Sequence, residues 1–294
     1  MRQFPSRDVA AQADWVELSL IVTGNLRLGK SQLRERIEES APDLNEAEIE
    51  IAVGEIFTEV RRRQRAGGGL YPFVRDRTAI SRRGLDDNLE SLYAYLALNS
   101  AEPGFRKPVT GFTSGRVFEE LVEVALKRWT GGEAIVFARA GPSDETGIRA
   151  AIKRLGSRLS VETHPSRARR ARNDHGLDVA AWRAFPDHRA GYPVLLCQCT
   201  VGWGLTRKAR EVEKSEWGKL LDIREGAFAA ALAIPHVLIP DYPHWRELRY
   251  ATDLIVDRLR LLVLLDGTSQ PWLPLVPHAT ALKTGLATWA NGGS

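Results

Sequence analysis

Asp174-His175-Gly176-Leu177-Asp178-Val179-Ala180-Ala181-Trp182 and Val194-Leu195-Leu196-Cys197-Gln198-Cys199 are the two stretches on which the fold turns. Each contains an apolar run of strand length. Between them Pro186-Asp187-His188-Arg189-Ala190-Gly191 has the residues of a turn. The pair predicts an antiparallel hairpin. With its turn near His188 to Ala190, Asp178 lies about ten residues before the centre and Gln198 about nine after it, so pairing sets them together at the far end. Asp178 interrupts an apolar strand, and a buried carboxylate is costly unless it is paired or bound to metal. Two roles stay open for it: a cap on the Gly176 turn, or a ligand for a divalent cation.

Outward from the hairpin the second half alternates. Helices are predicted over 115–129, 145–155 and 208–221, strands over 133–138, 177–185 and 193–199, an apolar strand-like run ending 227–239, and a long last helix over 245–264. Phe118, Leu121, Val122, Ala125 and Trp129 share one side of the first of these helices. Helices flanking a mixed sheet imply an α/β or α+β class. The first hundred residues read as helices over 15–22, 30–37 and 45–63, a hairpin over 71–74 and 78–80, and a helix over 89–98. Asn45 is the candidate N-cap of the third helix, and Ile49, Val53, Ile56, Phe57 and Val60 are its apolar stripe. Three helices and then a hairpin is the order of a winged helix; a helical adaptor is the alternative. Ser100-Ala101-Glu102-Pro103-Gly104 and Lys107-Pro108 interrupt the pattern, so the expected domains are 1–105 and 106–294.

Composition narrows the function classes. The 294 residues are 44% hydrophobic and 27% charged, with a net charge of +4 and a pI of about 9.2, a mild basic bias that suits an anionic partner. The arginines cluster as Arg61, Arg62, Arg63 and Arg65, and as Arg167, Arg169, Arg170 and Arg172. The second run directly precedes Asp178, which makes it a candidate phosphate grip; a solvated face is the alternative. Cys197 and Cys199 have neither disulfide nor zinc spacing, and a reducing cytoplasm fits. No apolar run is long enough to span a bilayer, and residues 1–14 have no signal-peptide core.

Phe118-Glu119-Glu120-Leu121, Gly176-Leu177-Asp178-Val179 and Leu196-Cys197-Gln198-Cys199 resemble the motifs of the PD-(D/E)xK restriction-endonuclease-like superfamily. Residues 112–262 also resemble a prokaryotic group whose pattern matches Gly176–Trp182, Phe185-Pro186-Asp187, Gln198-Cys199-Thr200-Val201-Gly202 and Asp257-Arg258-Leu259-Arg260. The resemblance implies a restriction-endonuclease-like mixed sheet flanked by helices. It also implies hydrolysis of DNA phosphodiester bonds with Mg²⁺ or Mn²⁺, and service in anti-phage or anti-plasmid defence, with other defence subunits as partners. Glu119 and Asp178, with the Cys199 carbonyl, would hold the metal; Glu120 is the second choice for the helix acid. By analogy with enzymes that cut two strands, a homodimer is a further expectation.

This chain departs from the pattern at two points: Gln198 stands where an acid is usual, and Thr200 where the lysine is usual. Lys208 has the spacing to supply the cation from the next helix; an ordinary surface lysine is the alternative. If no lysine arrives, a catalytically silent nucleic-acid-binding or adaptor subunit follows.

Other patterns compete. Gly24-Asn25-Leu26-Arg27-Leu28-Gly29-Lys30-Ser31 matches the phosphate-cradling G-x-x-x-x-G-K-S loop. That motif needs a preceding strand, and a loop between two helices is the competing reading. Asp174-His175 and Asp187-His188 are adjacent pairs whose side chains diverge, a poor basis for zinc. Asp257, Arg258 and Arg260 read chiefly as a structural acid–arginine arrangement.

Overall fold

The computed structural model describes residues 4–5, 8–84, 87–101, 114–137, 147–168, 175–238 and 243–266, and, near the C-terminus, 284, 286–287 and 290. The chain is mixed α and β, with two open sheets. It divides into two compact units: Met1–Ser114 with Pro235–Ile239 and Asp257–Ser294, and Gly115–Ile234 with Pro240–Val256. The second unit is therefore not the continuous 106–294 read from the sequence, because the last helix groups with the N-terminal unit.

The first unit runs α1 (Val9–Thr23), β1 (Arg27–Gly29), α2 (Lys30–Ser40), α3 (Glu46–Gly67), β2 (Phe73–Arg75), β3 (Ala79–Arg82), α4 (Asp87–Ser100) and, much later, α10 (Arg258–Leu265). Asn45 caps α3 as expected: its side chain accepts from Glu48 N while Glu48 answers on Asn45 N, a reciprocal box. The hairpin at 73–82 forms, but β3 also pairs with β1, which the sequence reading missed, giving the order β1-β3-β2.

α1 is buried on every side from Ala13 to Leu20, and that surface includes Asp14 and Glu17. Two arginines, each fully buried, compensate them. Arg258 grips Asp14 in a bidentate pair at 2.8 and 2.7 Å. Arg63 reaches Asp14 at 2.6 Å, Glu17 at 2.9 Å and Glu59 at 2.8 Å, and donates to the Ala10 carbonyl. The Tyr71 and Tyr93 hydroxyls both donate to Glu17. Burial alone would raise the Asp14 carboxyl, but Arg258 and Arg63 outweigh it and hold it well below the usual range. Burial raises the Glu17 carboxyl, Arg63 only partly offsets this, and the Asp14 charge raises it further.

The second unit runs α5 (Ser114–Thr130), β4 (Glu133–Val136), α6 (Ile148–Leu159), β5 (Val179–Trp182), β6 (Val194–Cys199), α7 (Leu205–Ala209), α8 (Lys214–Leu220), β7 (Phe228–Ala233), α9 (Pro243–Ala251) and β8 (Leu254–Val256). Its sheet is ordered β4-β5-β6-β7-β8; the first three strands are antiparallel, and β6, β7 and β8 are parallel. Ala180 and Trp182 of β5 and Val194 and Leu196 of β6 share one core with Ile152, Leu155 and Leu159 of α6 and Trp217 of α8. Phe137 meets Trp217 edge to face at 5.1 Å.

Two long helices read from the sequence are broken. The stretch 245–264 becomes α9, β8 and α10. Thr252 Oγ1 donates to the Ala230 carbonyl and Asp253 accepts from Ala230 N, which draws the chain onto β7; Asp257 then caps α10. The stretch 208–221 splits into α7 and α8. The apolar run Val237-Leu238 is buried but lies outside any strand.

The buried network makes two tests. Removing one member of a buried, hydrogen-bonded charge group costs about 3–5 kcal/mol, so Arg258→Met is expected to lower stability by that order in urea unfolding followed by circular dichroism; a change under about 0.5 kcal/mol would refute the assigned role. Asp14 and Glu59 are depressed, so their contribution is present above about pH 4 and lost as pH falls further. Glu17 is raised, so its contribution runs the other way, growing on acidification. The urea midpoint of Asp14→Asn is therefore expected to fall less steeply below about pH 4 than that of the wild type.

Candidate active site

The hairpin that carries the site is in the expected register. Val179 pairs with Cys197 and Trp182 with Val194, which leaves Asp178 opposite Gln198 at the end away from the turn. Asp178 is locked there by its backbone, with its N–H donating to the Cys197 carbonyl and its carbonyl accepting from Phe137 N. Its carboxylate Oδ2 accepts from Gln198 Nε2 at 2.5 Å and from Cys199 N at 2.7 Å. Gln198 Nε2 also donates to the Cys199 carbonyl at 3.0 Å. This engages the backbone oxygen that the sequence reading offered as a metal ligand. Gln198 is 4% exposed, and its Oε1 is a buried acceptor with no hydrogen-bond partner among the described residues. Such an atom costs about 1–3 kcal/mol unless something donates to it or coordinates it.

Glu119 sits half-buried on α5, between Phe118 and the apolar face that includes Leu121 and Val122. The Cys199 thiol reports where its charge reaches. Burial pushes this thiol well up, a hydrogen bond with Cys197 adds to it, and the carboxylates of Asp178 and Glu119 both raise it further. Both acids therefore act on one point at the end of β6. Glu120, the alternative helix acid, instead faces Arg116 at 3.6 Å.

Gly176 fixes what stands beside Asp178. Its φ is +73°, a left-handed conformation, and a Cβ there would lie 2.4 Å from the Glu211 carbonyl oxygen. The turn before β5 thus packs directly on the backbone that follows α7. Lys208 belongs to that helix, and its Nζ is held by Glu211 at 2.8 Å. The candidate Lys208 is accordingly on the helix whose following backbone meets the Gly176 turn, but it is committed to a carboxylate three residues on, an i, i+3 partner that the sequence reading did not weigh. Among the described residues no group of three His, Cys, Asp or Glu side chains is gathered to hold a metal. The oxygen donors present are two carboxylates and the Gln198 amide, a set compatible with Mg²⁺, which keeps several waters and takes one or two protein carboxylates.

The remaining candidates fall elsewhere. Arg169, Arg170 and Arg172 lie outside the described residues, and Arg167 is exposed and donates to the Lys219 carbonyl. The Gly24–Ser31 match follows a helix, α1, whose end Gly24 caps with φ 68°. Its second half is β1 and the first turn of α2, which is not the strand-then-loop context of a P-loop. Arg27, Lys30, Ser31 and Thr78 line an open cavity of about 510 Å³ there. Arg258, read from sequence as half of an acid–arginine arrangement, is paired with Asp14 rather than with Asp257.

No family model, no curated protein and no solved structure matches the chain. Among the described residues no helix is long and apolar enough to cross a membrane.

Gly176→Ala separates strain from collision. It is expected to lower the melting temperature more than Gly191→Ala, whose φ of +111° is also strained but whose Cβ would meet nothing within 4 Å. Strain alone costs about 1–3 kcal/mol in each. Equal losses would mean that the contact with Glu211 adds nothing.

Proposed function

We propose that the second unit is a metal-dependent nuclease with a restriction-endonuclease-like core, cleaving phosphodiester bonds of DNA. The observation that carries this reading is the end of the β5–β6 hairpin. There a carboxylate held by two donors lies beside a buried amide oxygen with no hydrogen-bond partner among the described residues, within electrostatic reach of the half-buried acid on α5. An antiparallel β4-β5-β6 set continued by parallel β7 and β8 and interleaved with helices, with one acid on α5 and one directly preceding β5, also favours it. Mg²⁺ or Mn²⁺ would be held by Asp178 and Glu119, with Gln198 Oε1 as the neutral third oxygen. When bound, such an ion neutralises the phosphate and lowers the pKa of a water. The chain's own residues do the positioning: the Gln198 amide and Cys199 N–H hold one Asp178 oxygen, and Lys208, on the helix whose following backbone packs on the Gly176 turn, is the candidate to stabilise developing charge. The defence role that the resemblance implies belongs to the same proposal and rests on that resemblance.

The first unit is proposed as a winged-helix-like module, on its order α1-β1-α2-α3-β2-β3 and the pairing of β1 with β3. The exposed start of its third helix carries Glu46, Glu48, Glu50 and Glu55, a charge opposed to phosphate. Base reading by α3 is therefore not part of the proposal.

A second reading, a silent nucleic-acid-binding or adaptor subunit, is favoured by one observation: Lys208 is tied to Glu211 rather than to the site. Incubation of purified protein with plasmid and with single-stranded circular DNA, in Mg²⁺ or Mn²⁺, decides between them. Cleavage that Asp178→Ala and Glu119→Gln both reduce to background is expected. Cleavage undiminished in Asp178→Ala refutes the site, and DNA binding without cleavage under either ion selects the second reading.

A further inference from the structure

The chain leaving β6 runs through Trp203 into α7, a short helix rich in cations. We infer that the Trp203 turn, α7 and α9 form a landing surface for single-stranded nucleic acid; this rests on the nuclease reading and names the strand form it would use. Trp203 follows Cys199 by four residues and is 39% exposed. The Arg207 guanidinium folds back over the next residue, with its Nη2 and Nε 3.9 and 4.0 Å from where a Gly204 Cβ would be. α7 and α9 are joined by a hydrogen bond from Thr206 Oγ1 to Glu247. On α9, Leu248 is buried, while Arg246, Arg249 and Tyr250, at i, i+3 and i+4, share the exposed side. Tyr250 is 81% exposed, more than any other large apolar side chain described.

Charge decides the occupant. Residues 203–211 and 243–251 carry Arg207, Lys208, Arg210, Arg246 and Arg249 against only Glu211 and Glu247. Glu211 is already engaged by Arg207 and Lys208, and Glu247 accepts from Thr206. A net positive surface bearing exposed aromatic faces suits a polyanion whose bases are free to stack. A duplex keeps its bases stacked on each other and offers those faces nothing. Scattered exposed aromatics are ordinary by themselves; here they flank α7 and lie on α9, the two joined helices that carry the excess of cations.

The test is fluorescence anisotropy with labelled thymidine and uridine oligonucleotides of about 20 nucleotides and a mixed-sequence duplex. EDTA is present and the protein carries Asp178→Ala, so that binding is read apart from cleavage. The thymidine strand, the uridine strand or both are expected to bind more tightly than the duplex. Trp203→Ala and Tyr250→Ala are each expected to weaken single-strand binding about tenfold with little effect on the duplex. The double variant Arg246→Ala/Arg249→Ala is expected to reduce the slope of log K against log salt by about 1.4, roughly 0.7 for each cation removed. Unchanged melting temperatures verify that the variants are folded. The inference is overturned if the duplex binds best, or if the aromatic variants bind single strands as tightly as their parent. Either result leaves the nuclease reading to its own cleavage assay, and absence of cleavage in that assay does not alter the binding result.

Discussion

Burying an arginine is tolerable only when every part of its guanidinium is met, and the first unit buries two. Arg258 and Arg63 converge on the same short stretch of α1, so that α1, α3, α4 and α10 are tied by groups that have no other outlet. The Coulombic gain of such a cluster roughly offsets its desolvation; its larger effect is on specificity, since any arrangement that separates Asp14 from Arg258 strands a charge in a low-dielectric interior. The two tyrosine hydroxyls complete the arrangement by donating to Glu17, the acid whose carboxyl burial raises. The fully buried face of α1 follows from this: a helix that would otherwise show water its acids can be covered all round.

The second unit solves a similar problem on a smaller scale. Asp178 enters an apolar strand and is met by a cross-strand amide and a backbone N–H. Among the described residues the solution is incomplete, because turning the Gln198 amide nitrogen toward the carboxylate leaves the amide oxygen without a donor. A glutamate at that position would bring repulsion in place of the hydrogen bond; glutamine trades a charge for order. The nuclease proposal and its silent alternative differ in what that oxygen is for.

Local patterns were legible where local forces decide. Asn45 with Glu48 marked the start of α3, and the turn residues at 186–191 fixed the register that sets Asp178 against Gln198. What escaped were features decided by distant partners. β1 is three residues long and exists because β3 pairs with it; β8 interrupts an apolar helical pattern because Thr252 and Asp253 bond to β7. Arg258 carried no sign of Asp14, since 244 positions separate the two. Lys208 was found by spacing, and its partner Glu211 is local, an i, i+3 neighbour; what the sequence did not show is that the backbone of Glu211 packs against Gly176.

The interleaved connectivity sets an order of events during synthesis. Residues 115–234 and 240–256 emerge before Arg258 does, so the second unit's sheet can be assembled while Asp14 has Arg63 but not yet its bidentate partner. The N-terminal half of the chain is then made first and finished last. Its helices await a residue from the far end, and a ribosome that stops short of position 258 leaves behind a fragment in which Arg63 alone must serve Asp14, Glu17 and Glu59.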